Sequence, residues 1–188
     1  MKPILCNTEM VRAIQEGRKT VTRLVIKQPW YIEDEEESRV SGLAIHRGTQ
    51  VTDGMPYPDR PYSPGDILYV REAFWGWSGG YEYKADYDRD NPGYIWKPSI
   101  HMPREAARIF LRVKGLRVER LQDITDDDMV RDFDFCLDAI KAVGRDALAG
   151  PFWDNTIKLA DRALYGWVSN PWVWVIEFER ISEEYYEK

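Results

Sequence analysis

The stretch RIFLRVKGLRVERL, residues 108 to 121, decides the predicted fold. Apolar residues alternate with polar ones along it, which is typical of a strand with one buried face. The apolar positions are Ile109, Leu111 and Val113 before Gly115, and Leu116 and Val118 after it. The alternation therefore shifts by one position at Gly115. A shift of this kind at a glycine predicts a bulge or a sharp bend in a curled sheet.

The residues that follow this strand predict helices and then a central strand. Thr125 and Asp128 are spaced as in a capping box, so a helix should begin there. The helical pattern breaks near Phe133 and ends around Gly150 and Pro151, and a weaker helical pattern covers roughly 152–162. PWVWVIEFERI, residues 171 to 181, is apolar at both parities, which indicates a strand covered on both faces.

The residues that precede the strand at 108–121 predict shorter elements around a long insertion. PILC at 3–6 indicates a strand, a helix should run from Asn7 or Thr8 to about Glu16, and a second strand should cover 20–26. Further strands are predicted at 66–75 and 81–87. Residues 28–62 show no period and predict a loop insertion, either a lid over a site or a disordered excursion. Together these elements predict one α+β domain over residues 1–188, a small and strongly bent mixed sheet or barrel flanked by helices.

Composition limits the classes of partner. A formal net charge of −6 repels phosphate backbones and anionic lipids, so any contact with nucleic acid must be local. No signal sequence or apolar run of membrane-spanning length is present, and a cytoplasmic protein without a membrane partner is expected. Two cysteines and two histidines without ligand spacing predict neither a metal site nor a cofactor. Eight tryptophans favour either a core rich in large side chains or a pocket that stacks on flat ligands.

The densest polar chemistry lies in GRKTVTR, residues 17 to 23, between the first helix and the second strand. One interpretation is a solvated turn, in which Arg and Lys neutralise the end of the helix. The other is a site for a small molecule or nucleic acid. If Lys19 were in a regular strand, its side chain and that of Thr22 would point to opposite faces, so a shared site requires Lys19 to lie in the turn before the strand.

Other candidate binding residues lie in the second half of the predicted strand 66–75 and in SIHMPRE, residues 99 to 105. Arg71 and Glu72 fall on opposite faces of a predicted strand, so at least one charge must point into the protein and needs a partner there. A structural ion pair and a role in a pocket are both consistent with them. Trp75, Trp96, Tyr165 and Trp167 are candidates for stacking on a base. His101 and Arg104 lie in a polar loop. They either stabilise a turn or contact the phosphate or sugar of a ligand.

Four motifs, taken in order, resemble the ASCH family, whose fold is related to the PUA barrel used in RNA binding. The motifs are GRKTVTR, GDILYVRE, RVERLQDIT and YGWVSNPWVWVIEF. The segments SIHMPREAARIFLRV and NPWVWVIEFERI are most similar to the ASCH proteins carried by bacteriophages and prophages. The resemblance spans the chain except for residues 28–60, and it implies a PUA-like β-barrel.

Some ASCH proteins are small amidohydrolases that remove the acetyl group from N4-acetylcytidine with a lysine, a threonine and a glutamate. The motif GRKTxTxR places the first two on Lys19 and Thr22. The third falls on Asp132, counted from Thr125, so an aspartate stands where the family has a glutamate. The resemblance thus implies a catalytic set of Lys19, Thr22 and Asp132. The residue patterns themselves nominate the substrate contacts, which are Arg23, Arg71, Glu72, Trp75, His101 and Arg104.

Three functions stay open at this point. The first is hydrolysis of an N4-acylated cytidine or a similar modified nucleoside, which carries no phosphate for an acidic protein to repel. The second is a noncatalytic module of phage origin that binds RNA, with Lys19, Arg23 and Arg71 as a local cation cluster. The third is a metal-independent ribonuclease on the same scaffold. The sequence sets no oligomeric state.

Overall fold

The computed structural model describes residues 1–26, 60–87 and 93–182. Within these residues the fold is α+β, as predicted, with five helices and seven strands. The helices are α1 Thr8–Gln15, α2 Asp126–Phe133, α3 Leu137–Val143, α4 Arg145–Thr156 and α5 Arg162–Tyr165. The strands are β1 Lys2–Leu5, β2 Val21–Val25, β3 Ile67–Arg71, β4 Phe74–Trp77, β5 Gly80–Tyr83, β6 Phe110–Arg120 and β7 Trp172–Ile181.

Five of the strands form a mixed sheet in the order β1-β3-β6-β7-β2. β1 pairs with β3 in parallel, whereas β3 with β6 and β2 with β7 are antiparallel. β4 and β5 form a separate two-stranded hairpin. Among the strands of the described ranges, β1 and β2 are the two edges and no closed barrel is present. The mixed sheet is therefore confirmed, and the PUA-like barrel stays a prediction.

The shift of alternation at Gly115 is confirmed in β6. Ile109, Leu111 and Val113 are buried before the glycine, as is Phe110, and the buried apolar residues of the strand after it are Leu116 and Val118. β6 passes through Gly115 without interruption. β7 is buried on both faces along most of its length and lies between two neighbours, as predicted for a central strand.

The chain divides into two compact units. Unit 1 comprises Met1–Thr20, Pro64–Lys114 and Phe178–Lys188, and unit 2 comprises Val21–Ser63 and Gly115–Glu177. The prediction of one domain over residues 1–188 stays a prediction. Of the predicted loop insertion at 28–62, residues 28–59 lie outside the described residues.

Unit 1 contains a small apolar core beneath the hairpin. Phe74, Met102 and Ala106 are its buried members, and Tyr81 and Tyr83 pack against them. The predicted strand 66–75 is divided here, because β3 ends at Arg71 and β4 begins at Phe74. The predicted strand 81–87 is correct only to Tyr83, and a 3-10 turn follows it at Lys84–Asp86.

Unit 2 packs its helices over an apolar core. Met129, Phe133, Trp153 and Trp167 bury their side chains in one cluster with β2 and β7 residues such as Val173. Burial of side chains this large is the main source of stability for helices as short as α2. The tryptophans of this unit thus include core residues, one of the two roles expected for them.

The start of α2 is confirmed in detail, and its end is where the pattern placed it. Thr125 Oγ1 accepts a hydrogen bond from the Asp128 amide at 3.1 Å, so Thr125 is the N-cap. The helix stops at Asp134, whose φ of 63° is left-handed and closes the last turn.

The predicted end at Gly150 and Pro151 is wrong, because α4 continues through both residues to Thr156. Proline removes one intrahelical hydrogen bond from a helix interior. Ala149 and Trp153 on either side are buried in the unit 2 core, and this packing holds the helix across the proline.

None of the helices in the described ranges has both the length and the apolar character needed to cross a bilayer.

Candidate functional site

The turn that carries GRKTVTR begins as a closed helix end. Gly17 has a φ of 76°, its amide donates to Ile14 O at 3.1 Å, and the Arg18 amide donates to Ala13 O at 2.9 Å. This pair of bonds is the Schellman arrangement, which needs a left-handed residue at the glycine position. The Lys19 amide also donates to Ala13 O, at 3.0 Å. The backbone therefore fixes where Lys19 leaves the helix.

The polar side chains of this segment divide into exposed and buried ones. Arg18 is exposed and pairs with the exposed Glu16, as a solvated turn predicts. Lys19, Thr22 and Arg23 are only 4%, 6% and 5% exposed. A solvated turn does not bury an ammonium, a hydroxyl and a guanidinium within five residues, because each polar group must be compensated when it leaves water. The solvated-turn interpretation therefore holds only for the first two residues.

Lys19 precedes β2, which begins at Val21. The requirement that the lysine lie before regular strand pairing is therefore met. Lys19 belongs to unit 1, whereas Thr22 and Arg23 belong to unit 2.

In unit 1, Lys19 interacts electrostatically with a buried thiol that the sequence did not single out. Burial raises the pKa of the Cys6 thiol to about 12, the positive charge of Lys19 opposes this rise, and the negative charge of Glu72 adds to it. Amine, thiol and carboxylate thus share one buried region of this unit. With its pKa raised so far, the Cys6 thiol is not an activated nucleophile at neutral pH.

Glu72 is almost fully buried, and its partner is Arg108. Arg108 Nε lies 2.9 Å from Glu72 Oε1 and Nη2 lies 3.1 Å from Oε2, which is a bidentate pair. Burial raises the pKa of Glu72, although the hydrogen bonds and charge of Arg108 oppose the rise. Arg108 also binds Asp86, at 2.6 and 2.9 Å, and its guanidinium lies 3.9 Å from the ring centroid of Tyr83. The expected inward-pointing charge is therefore Glu72, and it has the partner that it needs.

Unit 2 contains a buried ionic group, which we call the Arg23 cluster: Arg23, Glu119, Asp128 and Asp132. The side chain of Arg23 is 0% exposed. Its Nη2 lies 2.6 Å from Glu119 Oε1 and 2.8 Å from Asp128 Oδ2, and its Nη1 lies 2.9 Å from Asp132 Oδ2. Burial works against the charged guanidinium, but Asp132 and Glu119 outweigh it and raise the pKa of Arg23.

Two further arginines share the carboxylates of this cluster. Arg117 binds both Glu119 and Asp128, and Arg131 Nη2 lies 2.6 Å from Asp128 Oδ1. Burial alone would raise the pKa of Asp128, but the charges of Arg23 and Arg117 outweigh burial and lower it. One guanidinium nitrogen, Arg23 Nε, is buried without a hydrogen-bond partner. Such a donor costs free energy, so this cluster is held together by its charges and not by complete hydrogen bonding.

Asp132 is a member of this cluster, whereas Thr22 precedes Arg23 in β2, so strand alternation directs its side chain to the opposite face of the strand. Thr22 lies opposite Ile176 in the pairing of β2 with β7, next to Arg23 along the chain. Asp132 is 4% exposed, so it is not the solvated helical carboxylate that is common at such a position. Its carboxylate is fixed by Arg23 on the neighbouring strand.

The remaining predicted binding residues lie in unit 1 and have different surroundings. Arg71 donates from Nε to Met102 O at 2.8 Å and from Nη2 to Ile100 O, so its guanidinium supports the backbone of the SIHMPRE loop. His101 and Arg104 are exposed in two 3-10 turns of that loop. Trp75 stacks between two other aromatic rings. Ligand contact by these residues stays a prediction.

Several residues of these groups were missed in the sequence. The sequence contains a weak indication for Glu119, because this charged residue lies in the predicted strand after the shift of alternation at Gly115. An isolated glutamate in a strand does not, however, identify its partner. Asp128 was assigned to helix capping, and the structure gives it an ionic role as well. Cys6 and Arg108 had no signal of function in the sequence.

The described residues contain no group of three or more His, Cys, Asp or Glu arranged to hold a metal ion. In the Arg23 cluster the guanidinium itself occupies the space between the carboxylates.

Comparison with family models, with curated proteins and with solved structures gives no match for this chain.

Proposed function

We propose that this chain is an ASCH-type protein with a PUA-related fold that recognises a modified nucleoside and hydrolyses the amide of N4-acylated cytidine. The observation that carries the proposal is the burial of Lys19, Thr22 and Arg23 in one short segment. Lys19 and Thr22 stand where the GRKTxTxR motif has its lysine and its second threonine, whereas the final arginine of the motif falls on Leu24 and Arg23 occupies a variable position. The side chains of Lys19 and Thr22, which would perform the chemistry, are withdrawn from bulk water. Buried ionisable and nucleophilic groups are more typical of sites than of turns.

In the proposed reaction the Thr22 hydroxyl attacks the acetyl carbonyl carbon while Lys19 accepts its proton, a role that requires the uncharged form of the amine. A new bond forms between Thr22 Oγ1 and the carbonyl carbon, and the bond from that carbon to N4 breaks. The proton on Lys19 passes to N4, so cytidine leaves with a neutral amino group. Water then attacks the carbonyl carbon of the acetyl ester, and Lys19 again transfers the proton. The bond from that carbon to Thr22 Oγ1 breaks, so acetate is released and the hydroxyl of Thr22 is restored.

Asp132 is proposed to accept a hydrogen bond from the substrate amide nitrogen. Its hydrogen bond to Arg23 Nη1 holds the carboxylate in one orientation. An aspartate is one methylene shorter than the glutamate of the resembling amidohydrolases, and in this proposal the position of Arg23 compensates for the shorter reach. Arg23 is then a positioning residue, because it acts through Asp132.

A noncatalytic RNA-binding module and a metal-independent ribonuclease are the alternatives. Both need cations that are available to phosphate. The guanidinium of Arg23 is buried among three carboxylates, and that of Arg71 is bound to two backbone carbonyls. This use of two of the three predicted cations favours an uncharged nucleoside over a phosphate backbone.

The test is release of cytidine from N4-acetylcytidine by the purified protein, followed by chromatography. Lys19→Ala and Thr22→Ala should each reduce turnover by at least ~100-fold, since each removes a proton-transfer or nucleophilic group. Arg18→Ala is the matched control in the same turn and should retain parental turnover, because its side chain is exposed and pairs with the exposed Glu16. Unchanged turnover in both site variants would reject these assignments.

The same assay separates the alternatives. Turnover of a nucleoside should hardly change between roughly 50 and 200 mM salt, whereas phosphate-driven RNA binding weakens steeply over that range. A parent protein that does not turn over the nucleoside but binds RNA in a salt-dependent manner would favour the noncatalytic module.

A further inference from the structure

Unit 1 contains a stack of three aromatic rings, which we call the aromatic stack: Trp77, Trp75 and Tyr94. The ring centroids of Trp75 and Trp77 are 5.1 Å apart with an interplanar angle of 21°. Those of Trp75 and Tyr94 are 4.8 Å apart at 24°. The three rings therefore lie nearly parallel, as stacked bases do, with Trp75 in the middle.

The apolar core of this unit does not account for the aromatic stack. In β4 the buried side is that of Phe74, which packs with Met102 and Ala106. Successive side chains of a strand point to opposite faces, so Trp75 and Trp77 lie together on the other face of the hairpin. The outer ring, Trp77, is 44% exposed. Two tryptophans on the solvent-facing side of a hairpin cost free energy that the core does not explain.

The geometry distinguishes a flat ligand from a cation. Tyr87, Tyr94 and Trp96 lie at the inner end of the aromatic stack with ring centroids 5.3 to 5.5 Å apart. Rings in direct contact leave no room between them for the ammonium that an aromatic cage surrounds. A ligand must therefore bind on the outer end, where Trp77 presents an exposed ring.

The local charges favour an uncharged ligand. Glu82 lies directly opposite Trp75 in the hairpin and accepts a hydrogen bond from the Tyr87 hydroxyl at 2.8 Å. A carboxylate beside the aromatic stack repels a phosphate and leaves a neutral ring unaffected.

Gly79 allows Trp77 to take its position. A Cβ at residue 79 would lie 2.5 Å from Trp77 Nε1, which is too close for any side chain. The backbone of Gly79 is not in the left-handed region, so the indole is what excludes a larger residue. The turn of the hairpin and the exposed ring are thus fitted to each other.

From these observations we infer that the aromatic stack is a binding platform for a nucleobase, which stacks on the exposed ring of Trp77. The choice of a nucleobase among planar uncharged heterocycles rests on the proposed function. The base comes either from a free nucleoside or from single-stranded RNA, and stacking on an aromatic ring is common to both.

Isothermal titration calorimetry with N4-acetylcytidine, cytidine, a short oligocytidine and ribose tests this inference. The parent should bind ligands that contain a base and should not bind ribose. Trp77→Leu should weaken base binding by roughly 5- to 100-fold, the range found when a stacking aromatic residue is removed. Gly79→Ala should weaken it too, because the added Cβ displaces the ring without removing it.

Leu159→Ala is the matched control, since Leu159 is a large apolar side chain that is 81% exposed in unit 2. It should bind like the parent. Binding of the oligocytidine but not of the nucleosides, lost in Trp77→Leu, identifies RNA as the source of the base. Equal binding by parent and Trp77→Leu overturns the inference, as does a parent that binds no base-containing ligand.

Failure of this inference is distinguishable from failure of the proposed function. Base binding that depends on Trp77, without turnover of N4-acetylcytidine, rejects the amidohydrolase and retains the platform. Turnover that depends on Lys19 and Thr22, with base binding unaffected by Trp77→Leu, rejects the platform alone.

Discussion

At the scale of single residues, Arg23 shows how a charge can be stable without water. Its guanidinium is fully buried, and its compensation comes from three carboxylates on other segments of unit 2. Charge-assisted hydrogen bonds of this type are stronger than neutral ones. They also make the site intolerant of change, because removing the cation takes one partner from each of three buried carboxylates.

Arg23→Met should therefore reduce the free energy of unfolding by about 3–5 kcal/mol, the usual cost of removing one partner from a buried ion pair. Arg18→Met is the control, since the exposed Arg18–Glu16 pair should contribute no more than about 1 kcal/mol. Urea denaturation followed by circular dichroism measures both. If Arg23→Met unfolded at the same urea concentration as the parent, the carboxylates would not depend on the guanidinium as described.

At the scale of elements, the end of α1 determines the position of Lys19 before β2. The left-handed Gly17 closes the helix and turns the chain, so that Lys19 precedes β2 and does not follow strand alternation. A Cβ at Gly17 would meet no atom within 4 Å, so a substitution there is limited only by backbone conformation.

Gly17→Ala should lower the free energy of unfolding by about 1 kcal/mol, because an L-residue with a side chain is strained in the left-handed region. Gly17→Asn should lose less, since asparagine tolerates this conformation better than alanine does. Thermal denaturation of the two variants and the parent gives the order. An alanine variant as stable as the parent would mean that the helix end does not require a left-handed residue.

The elements also show which predictions the sequence could support. The start of α2, the shift of parity at Gly115 and the central position of β7 depend on neighbours within a few residues, and all three are confirmed. The course of α4 through Pro151 was not predicted, because the packing of Trp153 outweighs the local preference of proline. Long-range packing of this kind leaves no mark in the local pattern.

At the scale of the whole molecule, the candidate sites depend on contacts that are distant in sequence. Arg23 meets its three carboxylates across separations of 96, 105 and 109 residues. No spacing rule links residues so far apart, so the sequence could nominate Arg23 and Asp132 separately but could not predict their ion pair. Glu72 with Arg108 is a similar case, since a buried charge was expected and its partner was not identified.

The net charge of −6 fits the same account at this scale. An acidic protein in which Arg23 and Arg71 bind its own carboxylates and carbonyls has little to offer a phosphate backbone at these two residues. A neutral nucleoside meets no such barrier. The proposed substrate is therefore consistent with the charge of the molecule as well as with its buried polar residues.

The central claim is that the Thr22 hydroxyl attacks the substrate with the help of Lys19, and peptide mass spectrometry after acid quenching tests it most directly. Protein quenched during turnover of N4-acetylcytidine should carry one acetyl group on the peptide that contains Thr22, and Thr22→Ala should carry none there. Release of cytidine by the parent without any acetylated Thr22 peptide, at every quench time, would contradict the account.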